Sequence, residues 1–498
     1  MLLLALGLGG ALAAETRLVL EGEVPADGLD HFFLDVEVPQ GTVEIEVRHA
    51  DGSEADILDW GLDDPAGFRG WGGGNAEPAV VGEQAASRSY LAGPLPAGTW
   101  RVVVGKAKIR SSPATYAVEV LLRDSPTLAA DAEQGPYTPV TLEEGPRWYA
   151  GDLHVHSEHS GDARPGLDEL ADFARGRGLD FVVLSDHNTT SQLAVMSAAQ
   201  ARHPSLLFVP GVEFTTYDGH AGAFGATDWV DHRIGQPGVT IEAAAQAFAD
   251  QGAPFILNHP NLELGELCIG CAWDHDLDPA LIGGIEVVTG GYEPVGKLFF
   301  EDNVALWMAL EAAGARVAPV GGSDDHQAGQ DAGPTASPIG SPTTLLYAES
   351  LEVGALQRAL QAGQTVVKLQ GPDDPMISLW SASGTWGGPD DEALVARVEG
   401  DLGGTLRWFV DGEEAGAVEV SEDPFTHRFF VDAPPAGARV RLQLDVDGAP
   451  RVLTGTFYLE DAPAADVSAK EGCGGCAQGP MAALSPALLL ALLARRRR

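Results

Sequence analysis

The chain of 498 residues contains few cysteines and few basic residues. Only 4 cysteines occur, and 30 lysines and arginines stand against 72 aspartates and glutamates, which leaves a formal net charge of −42. So acidic a chain repels polyanions at long range. Duplex DNA and long RNA are therefore poor substrate candidates, because neutralisation of phosphates by Lys and Arg dominates nucleic-acid affinity. A small-molecule substrate, including a short nucleotide, remains open, because bound cations locally outweigh the negative potential of the acidic chain.

Apolar runs long enough to span a bilayer are also missing. Residues 1–14 form a Leu/Ala/Gly run that ends in the small-x-small pattern Ala11-Leu12-Ala13, with no basic segment before it. We expect this run to be a signal peptide and the protein to be exported. A slightly misassigned start is the alternative.

The C-terminal end has a different character. Cys473-Gly-Gly-Cys476 precedes a short apolar stretch over residues 481–494, and Arg495–Arg498 close the chain. The pattern resembles the myxobacterial C-terminal sorting tail, MYXO-CTERM. The resemblance implies removal of the tail and anchoring at the cell surface or outer membrane through one of the two cysteines. A periplasmic or secreted protein with a disordered tail is the alternative, and the oligomeric state stays open.

The other two cysteines, Cys268 and Cys271, are separated by two residues and followed by Asp274 and His275. In an exported chain a local disulfide is the expected form. A zinc site completed by Asp274 and His275 is the second reading. A redox-active pair is the third.

Length and hydrophobic periodicity indicate several domains. At ~100–200 residues per domain the chain suggests roughly three. Apolar and polar residues alternate between Gly- and Pro-rich turns before about residue 124 and again after 371, which predicts β-sandwiches. The predicted organisation is signal peptide 1–14, β-sandwich 15–124, linker 125–146, β/α domain 147–370, β-sandwich 371–461, and linker with sorting tail 462–498.

Between about 148 and 369 strand-like and helix-like runs alternate, which predicts parallel β/α architecture. The predicted helices cover residues 167–177, 193–201, 241–251, 298–313 and 353–362. The predicted strands cover residues 148–155, 179–184, 206–209, 221–226, 254–257, 284–288, 317–320 and 365–368.

Histidines and carboxylates recur at or shortly after the ends of these strands. They are His154, His156, Asp186, His187, Glu213, His259, Asp324 and His326. Side chains two residues apart on a strand point to one side, as the two histidines at 154 and 156 would. If the strands run parallel, all these groups gather at one rim, where imidazole and carboxylate ligands could hold catalytic divalent cations.

Five motifs in this order resemble those of the PHP (polymerase and histidinol phosphatase) superfamily. They are Gly151-Asp-Leu-His-Val-His156, Leu184-Ser-Asp-His-Asn188, Gly211-Val-Glu213, Asn258-His-Pro260 and Gly321-Gly-Ser-Asp-Asp-His326. The arrangement is similar to the CehA/McbA-type branch, named for a carbaryl hydrolase. The resemblance implies a central distorted (β/α)7 TIM-like barrel, here flanked by β-sandwiches, with two or three divalent metals such as Zn, Mn or Fe.

Carried over by position, the resemblance implies three metal sites. His154, His156 and Asp324 would bind the first metal, Glu213 would bridge it to a second held by His220 and His259, and Asp162, His187 and His326 would hold the third. Asp186 would orient a ligand, and Asp186, His187 and His326 are the predicted catalytic residues. The Ser-Asp-Gly of many members reads Ser160-Gly161-Asp162 here. Asp325 should point away from the site.

Other residues receive more ordinary assignments. His159, Arg164 and Lys297 are candidates for substrate contact, although basic residues near the motifs are few. His31, His49, His203 and His427 lie outside the motifs and are expected to be structural, and His232 and His275 are expected in surface loops.

Three functions follow from these patterns. The first is a phosphoesterase acting on small phosphate esters or nucleotides through metal-activated water. The second is a carbamate, ester or amide hydrolase, which scarce Arg and Lys near the motifs favour. The third is a non-catalytic surface-binding module, against which the full ligand set weighs.

Overall fold

The computed structural model describes residues 15–26, 28–265, 268–330, 336–381, 393–430 and 437–459. The predicted signal peptide and the predicted sorting tail both lie outside these residues. Within them, no helix combines the length and the apolar character that crossing a membrane requires.

The N-terminal part consists of eight strands. They are β1 (Glu15–Glu23), β2 (His31–Val38), β3 (Glu44–Asp51), β4 (Ile57–Asp64), β5 (Gly67–Gly73), β6 (Ala79–Gly82), β7 (Gly98–Lys108) and β8 (Thr115–Arg123). They form two four-stranded sheets in the orders β1-β8-β3-β6 and β2-β7-β4-β5. One core of alternating residues from both sheets, including Val47, Trp60, Trp100 and Val118, is buried between them.

The middle part contains the helices. Its strands are β9 (Glu143–Val155), β10 (Phe181–Leu184), β11 (Leu207–Thr216), β12 (Gly219–Phe224), β13 (Phe255–Leu257), β14 (Gly284–Thr289), β15 (Ala318–Gly322), β16 (Thr343–Leu351) and β17 (Thr365–Lys368). Its helices are α1 (Leu167–Gly176), α2 (Leu193–Arg202), α3 (Ile241–Asp250), α4 (Lys297–Ala312) and α5 (Val353–Gln361). The five predicted helices are confirmed to within one residue at each end, and β16 was not predicted.

The strands of the middle part do not all run parallel. The pairs β9–β10, β10–β11, β13–β14 and β14–β15 are parallel, whereas β12 is antiparallel to both β11 and β13. The reason is local, because only Tyr217 and Asp218 separate β11 from β12, and so short a turn can join only antiparallel strands. Just after β15, Asp325 forms a parallel bridge with Val155 of β9, so the segment that follows β15 lies beside the first strand of the middle part.

A TIM barrel, which the family resemblance implied, is not shown. The middle strands belong to a 14-stranded sheet that continues through β16 and β17 into the C-terminal strands. Five α-helices are too few to follow each strand, and they occur only in the middle part of the described chain. The molecule is multidomain and mostly β.

The C-terminal part is again built of strands. They are β18 (Met376–Ser381), β19 (Ala393–Glu399), β20 (Thr405–Val410), β21 (Glu413–Glu419), β22 (Phe425–Phe430), β23 (Arg439–Val446), β24 (Ala449–Thr454) and β25 (Phe457–Tyr458). The sheet β18-β19-β22 shares a core with strands of the 14-stranded sheet, including Leu379, Trp408 and Leu442.

Strand β11 shows how the fold positions polar side chains. Phe214 is fully buried against Phe248 of α3 and Phe255 of β13. Its neighbours Glu213 and Thr215 must point to the opposite face, because strand side chains alternate. Helix packing on one face of the strand therefore places a carboxylate on the other.

Candidate metal centre

A first cluster of side chains that could hold a metal ion lies where β9 ends. The Nε2 atoms of His154 and His156 are 3.1 Å apart, and both rings are buried. Asp324 Oδ1 lies 3.3 Å from the first of these nitrogens and 3.0 Å from the second. Glu213 completes the group, in which every ligand atom is within 4.8 Å of the others.

A second cluster adjoins the first through Glu213. Its Oε1 lies 3.4 Å from His220 Nδ1 and 3.2 Å from His259 Nε2. The ligand atoms of His220, His259 and Cys271 are within 4.8 Å of one another. The β11–β12 hairpin sets this geometry by pairing Thr215 with His220, which brings the histidine alongside Glu213.

A third cluster adjoins the first through His156. It contains Asp162, His187 and His326, and its ligand atoms are again within 4.8 Å of one another. Asp162 Oδ2 lies 3.3 Å from the Nε2 atoms of both other histidines. The rings of His156 and His326 stack with centroids 4.0 Å apart. The structure thus brings together all nine residues that the sequence proposed as metal ligands.

These clusters fit divalent cations. Imidazole nitrogens and carboxylate oxygens are the donor set that Zn, Mn and Fe accept. His220 Nε2 is buried and has no hydrogen-bond partner among the described residues, a cost that a bound cation would remove. The facing nitrogens of His154 and His156 also need a shared proton or cation between them.

Carboxylates hold some of the imidazoles in position. Glu286 of β14 is 1% exposed, and its Oε1 lies 2.8 Å from His154 Nδ1. Its Oε2 accepts a hydrogen bond from the backbone N–H of His259 at 2.9 Å. One carboxylate therefore orients ligands of two clusters, as metal-binding histidines usually require. Sequence reasoning missed Glu286, and the available signal was a single acid inside an apolar strand.

Amide and hydroxyl groups hold two further ligands. Asn258 Nδ2 donates to Glu213 Oε1 at 3.0 Å. His187 Nδ1 lies 2.7 Å from Thr215 Oγ1, which fixes the orientation of that ring. Asn258 was noted in the sequence only as part of a motif, and Thr215 was missed.

Asp186, predicted to be catalytic, lies behind the clusters. Its Oδ1 accepts a hydrogen bond from the backbone N–H of Ser157 at 2.7 Å. Burial raises its pKa to about 6. It therefore secures the turn that follows His156, and its position does not support a direct catalytic role. Asp325 points away as expected, since its carboxylate accepts from the N–H groups of Gln327, Gly329 and Ile339.

Two of the ligands have unusual backbone conformations. His259 has a φ of 30° and Asp324 a φ of 56°, in the left-handed region that non-glycine residues rarely adopt. Such conformations cost about 1–3 kcal/mol each and concentrate at functional sites. The surrounding fold therefore maintains these two ligands against their local preference.

Neighbouring carboxylates raise the pKa values of two of the ligand histidines. Burial opposes charge on His154, but the carboxylates of Glu213, Asp324 and Glu286 outweigh it and hold the pKa of His154 well above its usual value. Burial likewise opposes charge on His326, but its contact with Asp162 and the charge of Asp324 raise the pKa to about 9.

The opposite holds for the ring that the clusters share. Burial, together with the nearby positive charges of His326 and His187, lowers the pKa of His156 to about 3. A neutral imidazole is the form that binds a cation. His156, which belongs to two of the clusters, is therefore already in the neutral form that binds a cation.

The clusters open into a cavity of about 440 Å³. Its outer wall comes from the N-terminal sheet, from Asp59 of β4 and from residues 71–75 at the end of β5. Tyr217 donates a hydrogen bond to Asp59 Oδ2 at 2.7 Å and so links this wall to the β11–β12 turn. No Lys or Arg is among the described lining residues. No sequence pattern indicated that the N-terminal part reaches the site.

The residues proposed for substrate contact lie elsewhere. Arg164 pairs with Glu77 at 2.9 Å and is 74% exposed in its side chain. Lys297 pairs with Glu293 at the start of α4. His159 lies 3.0 Å from Ser191 Oγ and lines a separate cavity. None of the three lines the metal cavity, so their positions do not support the prediction.

His232 was expected in a surface loop, and this prediction is wrong. It is 2% exposed and stacks edge-on against Trp71 at 4.5 Å. His31 packs beside it and is also buried. Both rings fill the contact between the N-terminal sheet and the middle part, which sequence periodicity could not reveal.

Comparison with known proteins gives distant similarities. No protein-family model and no curated protein matches the chain. A solved Bacteroides vulgatus two-domain protein described as containing a predicted PHP-like metal-dependent phosphoesterase is 16% identical. It covers 66% of this chain and 100% of its own, with a TM-score of 0.36.

Two other solved structures match a smaller part. A Bifidobacterium adolescentis putative metal-dependent phosphoesterase is 15% identical over 38% of this chain and 92% of its own, with a TM-score of 0.26. A Chromobacterium violaceum amidohydrolase is 18% identical over 38% of this chain and 93% of its own, with a TM-score of 0.24. At such scores we base the function on the geometry of the clusters alone.

Proposed function

We propose that this chain is a metal-dependent hydrolase that activates water for attack on an ester. One observation carries the proposal: three ligand clusters, joined through Glu213 and His156, open into a single cavity. Adjacent ligand sets of this kind suit two or three divalent cations, such as Zn, Mn or Fe. A protein that only binds a surface has no need of them.

Bound divalent cations supply Lewis acidity, which makes water nucleophilic at neutral pH and neutralises charge developing on the substrate oxygens. The side chains have separate tasks. Glu286 and Asn258 hold the ligand rings and Glu213 in register. Where the third cluster carries no cation, contact with Asp162 raises the pKa values of His187 and His326, so that they hold a proton that can pass to the leaving group.

A phosphate ester is the first candidate substrate. Three neighbouring cation positions can neutralise a phosphoryl group that no Lys or Arg among the described residues of the cavity wall would contact. A carbamate, carboxylic ester or amide is the second candidate. The observation that favours it is the same absence of Lys and Arg among the described lining residues, which suits a neutral substrate.

The test of the hydrolase proposal removes the paired histidines. We expect His154→Ala combined with His156→Ala to abolish both bound metal and turnover, because two of the three clusters lose ligands. His427→Ala, in β22 of the C-terminal part, is the matched control and should retain both. Metal content by mass spectrometry and hydrolysis would be measured together. Hydrolysis by the double variant would contradict the proposal.

The substrate class needs a separate assay. The protein, loaded with Mn²⁺, Zn²⁺ or Fe²⁺, would be given p-nitrophenyl phosphates beside a carbamate and an acetate ester. Turnover of the phosphates supports the first candidate, and turnover confined to the uncharged esters supports the second.

We also propose that the enzyme works outside the cytoplasm, held to the membrane only through its C-terminal tail. The Cys268–Cys271 disulfide supports an oxidising compartment. Cell fractionation before and after deletion of residues 473–498 would test both points, and an unchanged soluble cytoplasmic distribution would contradict them.

A further inference from the structure

The loop after β13 carries two cysteines that the proposed reaction does not use. Cys268 and Cys271 form a disulfide, and both line the metal cavity. Cys271 is 2% exposed, so it faces the clusters and not the solvent. A disulfide at a metal cavity can also decide whether its sulfur atoms are free to bind a metal ion.

The sulfur of Cys271 lies among metal-binding nitrogens. Its Sγ, one ring nitrogen of His220 and one ring nitrogen of His259 are within 4.8 Å of one another. His220 is 5% exposed, and its Nε2 has no hydrogen-bond partner among the described residues. Two imidazoles and a thiolate are a set that Zn²⁺ and Co²⁺ accept readily.

Several contacts besides the disulfide hold this loop in place. The carbonyl oxygen of Cys271 lies 3.1 Å from His259 Nδ1. Trp273 N donates to Pro260 O at 2.9 Å, and Asp274 N donates to Asp218 O at 2.8 Å. Opening the disulfide would therefore leave Cys271 beside the two histidines.

We propose that Cys271 is a redox-controlled metal ligand. In the reduced protein its thiolate joins His220 and His259 at the second cluster, and in the oxidised protein the bond to Cys268 withholds it. The inference deepens the proposed function, since it rests on that cavity holding divalent cations, but it does not depend on the reaction catalysed.

The chemistry balances with an external dithiol as the reductant. The dithiol supplies two electrons and two protons, the bond between Cys268 and Cys271 breaks, and the dithiol becomes a disulfide. On binding the cation, Cys271 releases its proton to solvent. Oxidation reverses both steps, so the coordination of the second cluster would follow the redox state of the compartment.

Cobalt absorption tests the proposal directly. The full chain would carry Cys473→Ser and Cys476→Ser, so that the tail thiols bind no metal. It would be loaded with Co²⁺ either oxidised or after reduction by a phosphine and anaerobic desalting. We expect a thiolate-to-cobalt charge-transfer band in the near ultraviolet from the reduced protein and its absence from the oxidised protein.

Two variants form the matched pair, since neither can close the disulfide. Cys268→Ser should show the band without any reductant, because Cys271 is then always free to bind. Cys271→Ser should show no band in either state. A difference between them cannot come from loss of the crosslink, and near-ultraviolet circular dichroism would confirm that both are folded.

Cobalt binding and the charge-transfer band together separate a failure of this inference from a failure of the proposed function. If cobalt binds but the reduced protein and Cys268→Ser show no band, or Cys271→Ser shows the same band, the role of Cys271 is refuted while the metal centre stands. If no cobalt binds in any state, both this inference and the proposed function are refuted. Hydrolysis is not needed for either conclusion.

Discussion

At the scale of single residues, the centre depends on side chains that touch no substrate. Glu286 is buried in an apolar strand, where a charge is costly unless it is paired. Its carboxylate contacts His154 and accepts a hydrogen bond from the backbone of His259, which indicates that its role is to orient ligands.

The first prediction concerns this carboxylate. We expect Glu286→Gln to weaken metal affinity by about 10–100-fold, because a neutral amide orients and polarises His154 less well. Titration with Co²⁺ or Zn²⁺ would measure the change. Glu311→Gln is the matched control, since Glu311 is also a buried acid but bonds to Tyr458 away from the clusters. Equal affinities for the two variants would contradict the assigned role.

The second prediction concerns protons. The metal-free protein holds a proton on His326 below pH about 9, and a cation must displace it. Because this pKa is raised, competition is strongest at low pH, and affinity should rise as the pH increases from 6.5 to about 9. Calorimetry in two buffers of different ionisation enthalpy would count the released protons. An affinity that is flat over this interval would contradict the prediction.

At the scale of elements, one strand serves both packing and chemistry. Alternation on β11 places Phe214 in the core against α3 and leaves Glu213 on the opposite face. Helix α3 is positioned by its own sequence, since Thr240 caps it and Ile241, Ala244, Ala245 and Phe248 form its buried stripe.

The third prediction follows from this arrangement. Phe214→Ala should lower the free energy of unfolding by about 3–5 kcal/mol, through lost burial and the cavity left beside Phe248 and Phe255. Chemical denaturation followed by tryptophan fluorescence would measure it. Phe430→Ala is the control, because Phe430 is 63% exposed and its loss should cost no more than about 0.5 kcal/mol. Similar costs for both would show that the α3 layer does not support β11.

At the scale of the whole molecule, the N-terminal sheet β2-β7-β4-β5 is part of the site. Besides Asp59 and residues 71–75 in the cavity wall, a buried ion pair joins Asp63 to Arg233 at 2.8 Å. The backbone of Gly161, one residue before Asp162, packs directly against Gly72.

The fourth prediction tests that contact. A Cβ at Gly161 would overlap the carbonyl oxygen of Gly72, so Gly161→Ala must move either the wall or the loop that carries Asp162. Overpacking of this kind costs about 1–3 kcal/mol. If this cost falls on the geometry of the site, kcat/KM should decrease by about tenfold or more. Gly176→Ala, with no atom within 4 Å of the added methyl group, should be silent in the same assay. Unchanged kinetics for Gly161→Ala would show that the wall does not shape the site.

Local sequence patterns were sufficient to predict the helices, most strands of the middle part and the candidate ligands. Period changes located all five helices, and each proposed ligand except His220 and Asp162 lies at or shortly after the end of a predicted strand, because alternation and strand ends are local properties. The grouping of the ligands was expected from the family resemblance alone, and only the folded chain shows that Glu286, Cys271 and a wall from the N-terminal sheet surround them. These contacts join segments far apart in the chain, and their partners are chosen by packing between layers, which no local pattern encodes.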